Sequence, residues 1–163
     1  LKTVLIIRHA KSDQGFPGND FERPLNDRGR KDAPEMAARL LEKKISINAF
    51  VSSPATRALT TAKMFCKTYN KTEADIILVS SLYHAGSPVF FDVISQLPDH
   101  LHTVALFSHN PGITHFVNDL HSGAEVDNMP TCGIFVAEAD ITGWKEFATA
   151  KKRFLFFDYP KNR

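Results

Sequence analysis

The run Val4-Leu5-Ile6-Ile7, closed by Arg8 and His9, constrains this chain more than any other stretch. Four consecutive aliphatic side chains cannot alternate between core and water. They suit a strand covered on both faces, as in a parallel sheet flanked by helices. Ligands of such sheets bind just past the carboxyl ends of the strands. Here that end carries an arginine and a histidine. Arginine offers a rigid fork of donors for an oxyanion, and histidine can act as base, acid or nucleophile.

The same arrangement returns later. Thr103–Phe107 is a second apolar strand, and it runs into Ser108-His109-Asn110-Pro111-Gly112. Ala49–Ser52 and Ile76–Val79 read as further short strands, Pro130–Glu138 as an alternating one, and Phe154–Asp158 as the last. Helical patterns separate the earlier strands. Asn26 caps a helix to about Lys43 that turns Ala33, Met36, Ala37, Leu40 and Leu41 to the sheet. Pro34 either kinks this helix or lets Asp32 cap a fresh start with Glu35. Ser53 at the cap and Pro54 at the first helical position open a second helix, with Leu59, Ala62, Phe65, Cys66 and Tyr69 as its buried stripe. Ser87-Pro88 opens a third, carrying Phe90, Val93, Ile94 and Leu97. Asn110 and Pro111 open a fourth, carrying Ile113, Phe116, Val117 and Leu120. Strand and helix alternate, which predicts a three-layer α/β sandwich around a mainly parallel central sheet. Without a repeat or linker, residues 1–163 read as one domain.

Charge bounds the function. With 20 basic and 18 acidic residues the net charge is +2, which gives no electrostatic case for a nucleic acid or membrane partner. No apolar run approaches the roughly 20 residues of a transmembrane helix. No export signal is visible, so the cytoplasm is the expected location. Cys66 and Cys132 stand apart and read as reduced, buried thiols. The histidines show no zinc spacing, and neither a metal nor a cofactor is expected.

Arg8, His9, Arg57 and His109 all fall at carboxyl strand ends or helix starts. Two histidines, two arginines and helix N-termini make an oxyanion site, for which a dianionic phosphoryl group is a natural ligand.

Taken together, Arg8-His9-Ala10 after the first strand, Ser53-Pro54-x-x-Arg57-Ala58-x-x-Thr61-Ala62, and Ser108-His109-Asn110-Pro111 resemble the histidine phosphatase superfamily. Ala10 in place of the usual glycine, and the short chain, resemble its SixA group of phosphohistidine phosphatases. The resemblance runs collinearly over nearly the whole length. It implies a phosphoglycerate mutase-like fold, His9 as a nucleophile that becomes phosphorylated, and Arg8, Arg57 and His109 as the cage around the phosphoryl oxygens. On composition alone, Asp20-Phe21-Glu22-Arg23-Pro24-Leu25 is a surface loop. The resemblance makes Arg23 a further phosphate ligand and Asp20 a pocket residue. Many members carry a glutamate acid after the third strand. This chain has none there, and Asp20 and His84 are the candidate acids. The implied activity is metal-independent hydrolysis of phosphohistidine in a protein substrate, with phosphate as product. A small-molecule phosphatase of the same superfamily, and a phosphate-binding module without catalysis, are the alternatives.

Overall fold

In the computed structural model, which describes residues 1–162, the first strand is covered on both faces. Strand β1 spans Lys2–Arg8. Its Val4 and Ile6 enter one apolar core and its Leu5 and Ile7 the other, each at 0 or 1% exposure. Burying one such side chain contributes about 1.5–3 kcal/mol, so β1 alone anchors both layers.

Helix α1 (Asp27–Glu42), strand β2 (Ala49–Ser52), helix α2 (Thr56–Thr68), strand β3 (Ile76–Leu78), helix α3 (Ser87–Ser95), strand β4 (Thr103–Ser108), helix α4 (Gly112–Asp119), strand β5 (Ile134–Ala139) and strand β6 (Lys152–Asp158) follow in order. They build one six-stranded sheet in the order β3-β2-β4-β1-β5-β6. β1 to β4 pair in parallel, whereas β5 runs antiparallel to β1 and β6 antiparallel to β5. Buried residues of α1 and α2 pack on one face, those of α3 and α4 on the other. This is the predicted α/β sandwich with a mainly parallel sheet.

The topology creates a crevice. β1 and β4 are neighbours, with Arg8 opposite Ser108 in the register. The chain leaves β1 toward α1 on one face and leaves β4 toward α4 on the other. Loops that part in this way open a cleft at the carboxyl ends, the switch point where open α/β sheets bind ligands.

Several local expectations need correction. α1 is continuous through Pro34, so Asp32 starts no new helix; the Asn26 side chain accepts from the Gly29 N–H as predicted. Pro34 sits on the exposed side, and the one helix hydrogen bond that its missing N–H removes is lost there rather than in the core. Leu41 is 48% exposed and belongs to the outer face of that helix. β3 ends at Leu78 and is an edge strand, with Ile77 and Leu78 exposed. β5 is buried on both faces, with Phe135 and Ala137 in one apolar core and Ile134 and Val136 in the other, so no alternation survives. α2 starts at Thr56 rather than after Ser53, and α4 at Gly112 rather than after Asn110. Both displaced caps have other work at the site.

Candidate active site

His9 follows β1 directly, and its N–H bonds the Ser108 carbonyl at the end of β4 (3.1 Å). That bond brings the two strand-end histidines together. The His9 and His109 rings lie 5.3 Å apart, centre to centre, and the residues are only 5% and 7% exposed. The His9 loop is tied down from two sides. The Cys132 N–H reaches the carbonyls of Arg8 (3.1 Å) and His9 (3.0 Å), and the Ala10 N–H donates to Thr61 Oγ1 (3.0 Å). Thr61, whose hydroxyl also donates to the Arg57 carbonyl (2.7 Å), therefore couples α2 to the His9 loop.

His9 Nδ1 lies 2.7 Å from the Ala10 carbonyl. A carbonyl only accepts, so Nδ1 carries the proton and Nε2 holds a lone pair. Burial pushes the His9 imidazole down to about 3; His109, Arg8 and Arg57 add to this, against the pull of the Ala10 carbonyl. His9 is thus neutral at pH 7. His109 is also pushed down to about 3, by burial first and then by Arg57.

Arginines surround this pair. Arg57, 6% exposed and in the first turn of α2, donates Nη1 to the Asp20 carbonyl (2.7 Å) and Nη2 to Asp20 Oδ2 (3.0 Å). Arg8 donates Nη1 to the Met129 carbonyl (2.9 Å), and burial beside Arg57 lowers its guanidinium pKa. Arg23 Nη2 pairs with Asp20 Oδ1 at 3.2 Å, and its Nη1 reaches Gln14 Oε1 at 3.4 Å. The Nε atoms of Arg8, Arg23 and Arg57, and Nδ1 of His109, are buried with no hydrogen-bond partner among the described residues. Buried donors without partners are costly. Several of them beside a pair of neutral imidazoles suit an oxyanion with several acceptor oxygens.

Asp20 is brought to the loop after β3, where the acid of a related site is expected. Tyr83 donates its hydroxyl to Asp20 Oδ2 at 2.6 Å. That bond, followed by those from Arg57 and the charge of Arg23, holds the Asp20 carboxyl below the usual carboxylate range. Asp20 is therefore ionised, and its side chain is 53% exposed. His84 is exposed, its ring 4.0 Å from that of Tyr83. Tyr83 in turn meets the His109 ring edge-on at 5.6 Å and Phe21 at 5.1 Å. The seven residues singled out in the sequence thus gather at one end of the sheet.

Three neighbours escaped the sequence reading. Ser53, read as a helix cap, bonds His109 Nε2 through its hydroxyl (2.7 Å). Asn110, read as another cap, accepts from Thr114 Oγ1 (2.6 Å) and donates to the Met129 carbonyl (3.0 Å), the group that also receives Arg8. Tyr83 had no signal beyond its place next to His84. Among the described residues no group of three His, Cys, Asp or Glu side chains could hold a metal ion. Both cysteines are free and buried, and no described helix is long and apolar enough to cross a membrane. A groove of about 570 Å³ between β3 and α3, lined by Val51, Val79, Val89 and Val93 among others, lies apart from the cluster and contains none of its arginines or histidines. Chemistry rather than volume marks the site.

A mainly parallel sheet with paired histidines and arginines at its switch point is an arrangement suited to an oxyanion. Residues 4–82 match the family model of the histidine phosphatase superfamily (branch 1). The match covers the first half of the chain, and the likeness of fold extends over its whole length. Among solved structures it resembles the chain assigned as phosphohistidine phosphatase SixA from Agrobacterium tumefaciens, with 25% identity, a TM-score of 0.81 and 98% of each chain covered. It also resembles a protein histidine phosphatase SixA complexed with tungstate, with 22% identity, a TM-score of 0.83 and 98% of each chain covered. More distant is a mycobacterial glucosyl-3-phosphoglycerate phosphatase complexed with VO3, with 13% identity, a TM-score of 0.71, and 98% of this chain and 100% of that one covered. No curated protein matches the chain in sequence.

Proposed function

We propose that this chain is a phosphatase of the histidine phosphatase type that hydrolyses phosphohistidine in proteins by way of a phosphohistidine on its own His9. The observation that carries the reading is the state of His9: neutral, with the proton held on Nδ1 by the Ala10 carbonyl, beside His109 and the arginine cluster. The SixA-like fold supports it.

In this reading the His9 Nε2 lone pair attacks phosphorus in line. The new N–P bond forms as the P–N bond to the substrate imidazole breaks, and that ring, protonated on the nitrogen remote from phosphorus, takes the bonding pair and departs as neutral imidazole. Arg8, Arg57, Arg23 and His109 hold the equatorial oxygens, since phosphoryl transfer asks mainly for positioning and charge stabilisation. Phosphorylated His9 keeps its Nδ1 proton against the Ala10 carbonyl. When water attacks phosphorus, His9 therefore leaves as a neutral imidazole and the site is reset. The substrate imidazole is as good a leaving group, because the conjugate acid of imidazole has a pKa of about 6.5. Asp20, ionised in the free protein, is a weak acid for an alcohol leaving group, which favours phosphohistidine over phosphoserine.

Acid-quench trapping with a labelled phosphohistidine peptide tests the reading. Label is expected on His9, and His9→Ala should abolish both label and phosphate release. Turnover by His9→Ala above trace level, or label on another residue, would exclude His9 as the nucleophile.

A further inference from the structure

Ser53 is fully buried at the end of β2, and the sheet register explains why it reaches His109. Ser52 lies opposite Phe107, and the Ser53 N–H bonds the Phe107 carbonyl (3.0 Å), so Ser53 stands beside the Ser108-His109 corner. Its Oγ lies 2.7 Å from His109 Nε2 and accepts the Ala55 N–H at 3.2 Å.

A hydroxyl carries one proton. If Ser53 accepted from both Ala55 and a protonated Nε2, its own proton would need another acceptor, and none is found among its described contacts. An unsatisfied buried donor costs about 1–3 kcal/mol. Donating that proton to Nε2 removes the cost. The imidazole is neutral, kept so by burial first and then by Arg57, so its single proton must then reside on Nδ1. Nδ1 is the His109 atom that is buried without a partner, as are the Nε atoms of Arg8, Arg23 and Arg57.

Resting on the reading of this site as a phosphoryl pocket, we infer that Ser53 is a positioning residue: it fixes His109 as the Nδ1–H tautomer and so makes it a donor to a phosphoryl oxygen. The opposite tautomer would turn a lone pair toward that oxygen. The cap-like Ser-Pro pair is therefore spent on the site, which is why α2 begins later than its sequence suggests.

Imidazole ¹⁵N shifts report the tautomer directly, with His109 signals assigned by their loss in His109→Asn. The wild-type protein at pH 7.5 should show a protonated Nδ1 and a bare Nε2. Ser53→Ala should introduce the Nε2–H form and weaken vanadate binding by roughly tenfold, the scale of one hydrogen bond to a charged group. Ser53→Thr, which keeps the hydroxyl, should restore both. A wild-type spectrum with a protonated Nε2 overturns the proposal even if Ser53→Ala fails to fold, and so does an unchanged tautomer in a folded Ser53→Ala. The spectrum does not depend on turnover, so an inactive chain with the expected tautomer would count against the phosphatase reading and leave the role of Ser53 standing.

Discussion

Asp20 gathers its donors from across the chain: Tyr83, Arg57 and Arg23 all reach its carboxylate. In the free protein these donors keep it charged, so it has no proton to give. A bound phosphoryl dianion changes both sides of that balance. It competes for Arg57 and Arg23, and it sets a like charge beside the carboxylate; each effect raises a carboxyl pKa. Asp20 is thus poised to gain a proton only when substrate is present, and imperfectly, because the Tyr83 bond persists. A missing or weak general acid costs roughly 10²–10⁴-fold. That cost falls on alcohol leaving groups and spares imidazole. kcat/KM for a phosphohistidine peptide is therefore expected to exceed that for the matched phosphoserine peptide by roughly that factor. Asp20→Asn should widen the gap by slowing the serine ester more. Equal rates on the two peptides in the wild-type protein would refute the argument and reveal an efficient acid elsewhere.

At the scale of elements, the sheet was legible from its strand termini. Val4–Ile7 and Thr103–Phe107 announce buried parallel strands, and the residues that close them, His9 and His109, meet as a pair. The failures share a physical cause. Ser53 and Asn110 obey short-range capping rules, yet their polar atoms are taken by partners far along the chain, His109 and Met129. The Tyr83–Asp20 bond spans 63 positions and has no local pattern at all. Local rules break where the site draws on long-range contacts, as expected of functional positions. Gly112 is another case. The sequence carries no sign of its constraint, which is packing: a Cβ there would overlap the Ala85 carbonyl oxygen, in the same loop as Tyr83 and His84. The start of α4 is thereby held against that loop. Gly112→Ala should cost about 1–3 kcal/mol, the range of an overpacked core. It should also lower kcat/KM by moving His109. Gly15→Ala, whose Cβ would meet only Asp13 Oδ1 at 3.6 Å, serves as the control and should stay within about 0.5 kcal/mol. Denaturant midpoints of the three proteins decide; a Gly112→Ala midpoint equal to that of the wild-type protein would contradict the packing account.

On the scale of the whole molecule, the site sets how stability follows pH. Folding buries His9 and His109 as neutral rings, each pushed down to about 3, chiefly by burial. In the unfolded chain both return to about 6.5. Above that pH neither state binds protons at these rings, and their contribution is fully present. As pH falls below it, the unfolded chain takes up protons that the folded protein refuses, so the unfolded state gains. Stability therefore declines from about pH 6.5 toward pH 3, with a limiting slope of roughly 1.4 kcal/mol per pH unit for each histidine. Urea unfolding between pH 4.5 and 8 should then show a slope lower by about one proton in His9→Asn and again in His109→Asn, each compared with the wild-type protein. Any stability that the two site variants lose at pH 8 through lost contacts is an offset constant with pH and does not alter the comparison of slopes. Parallel pH profiles for the wild-type protein and both site variants would mean that the folded protein protonates these rings as readily as the unfolded chain, and the neutral His9 on which the nucleophilic mechanism depends would fall with them.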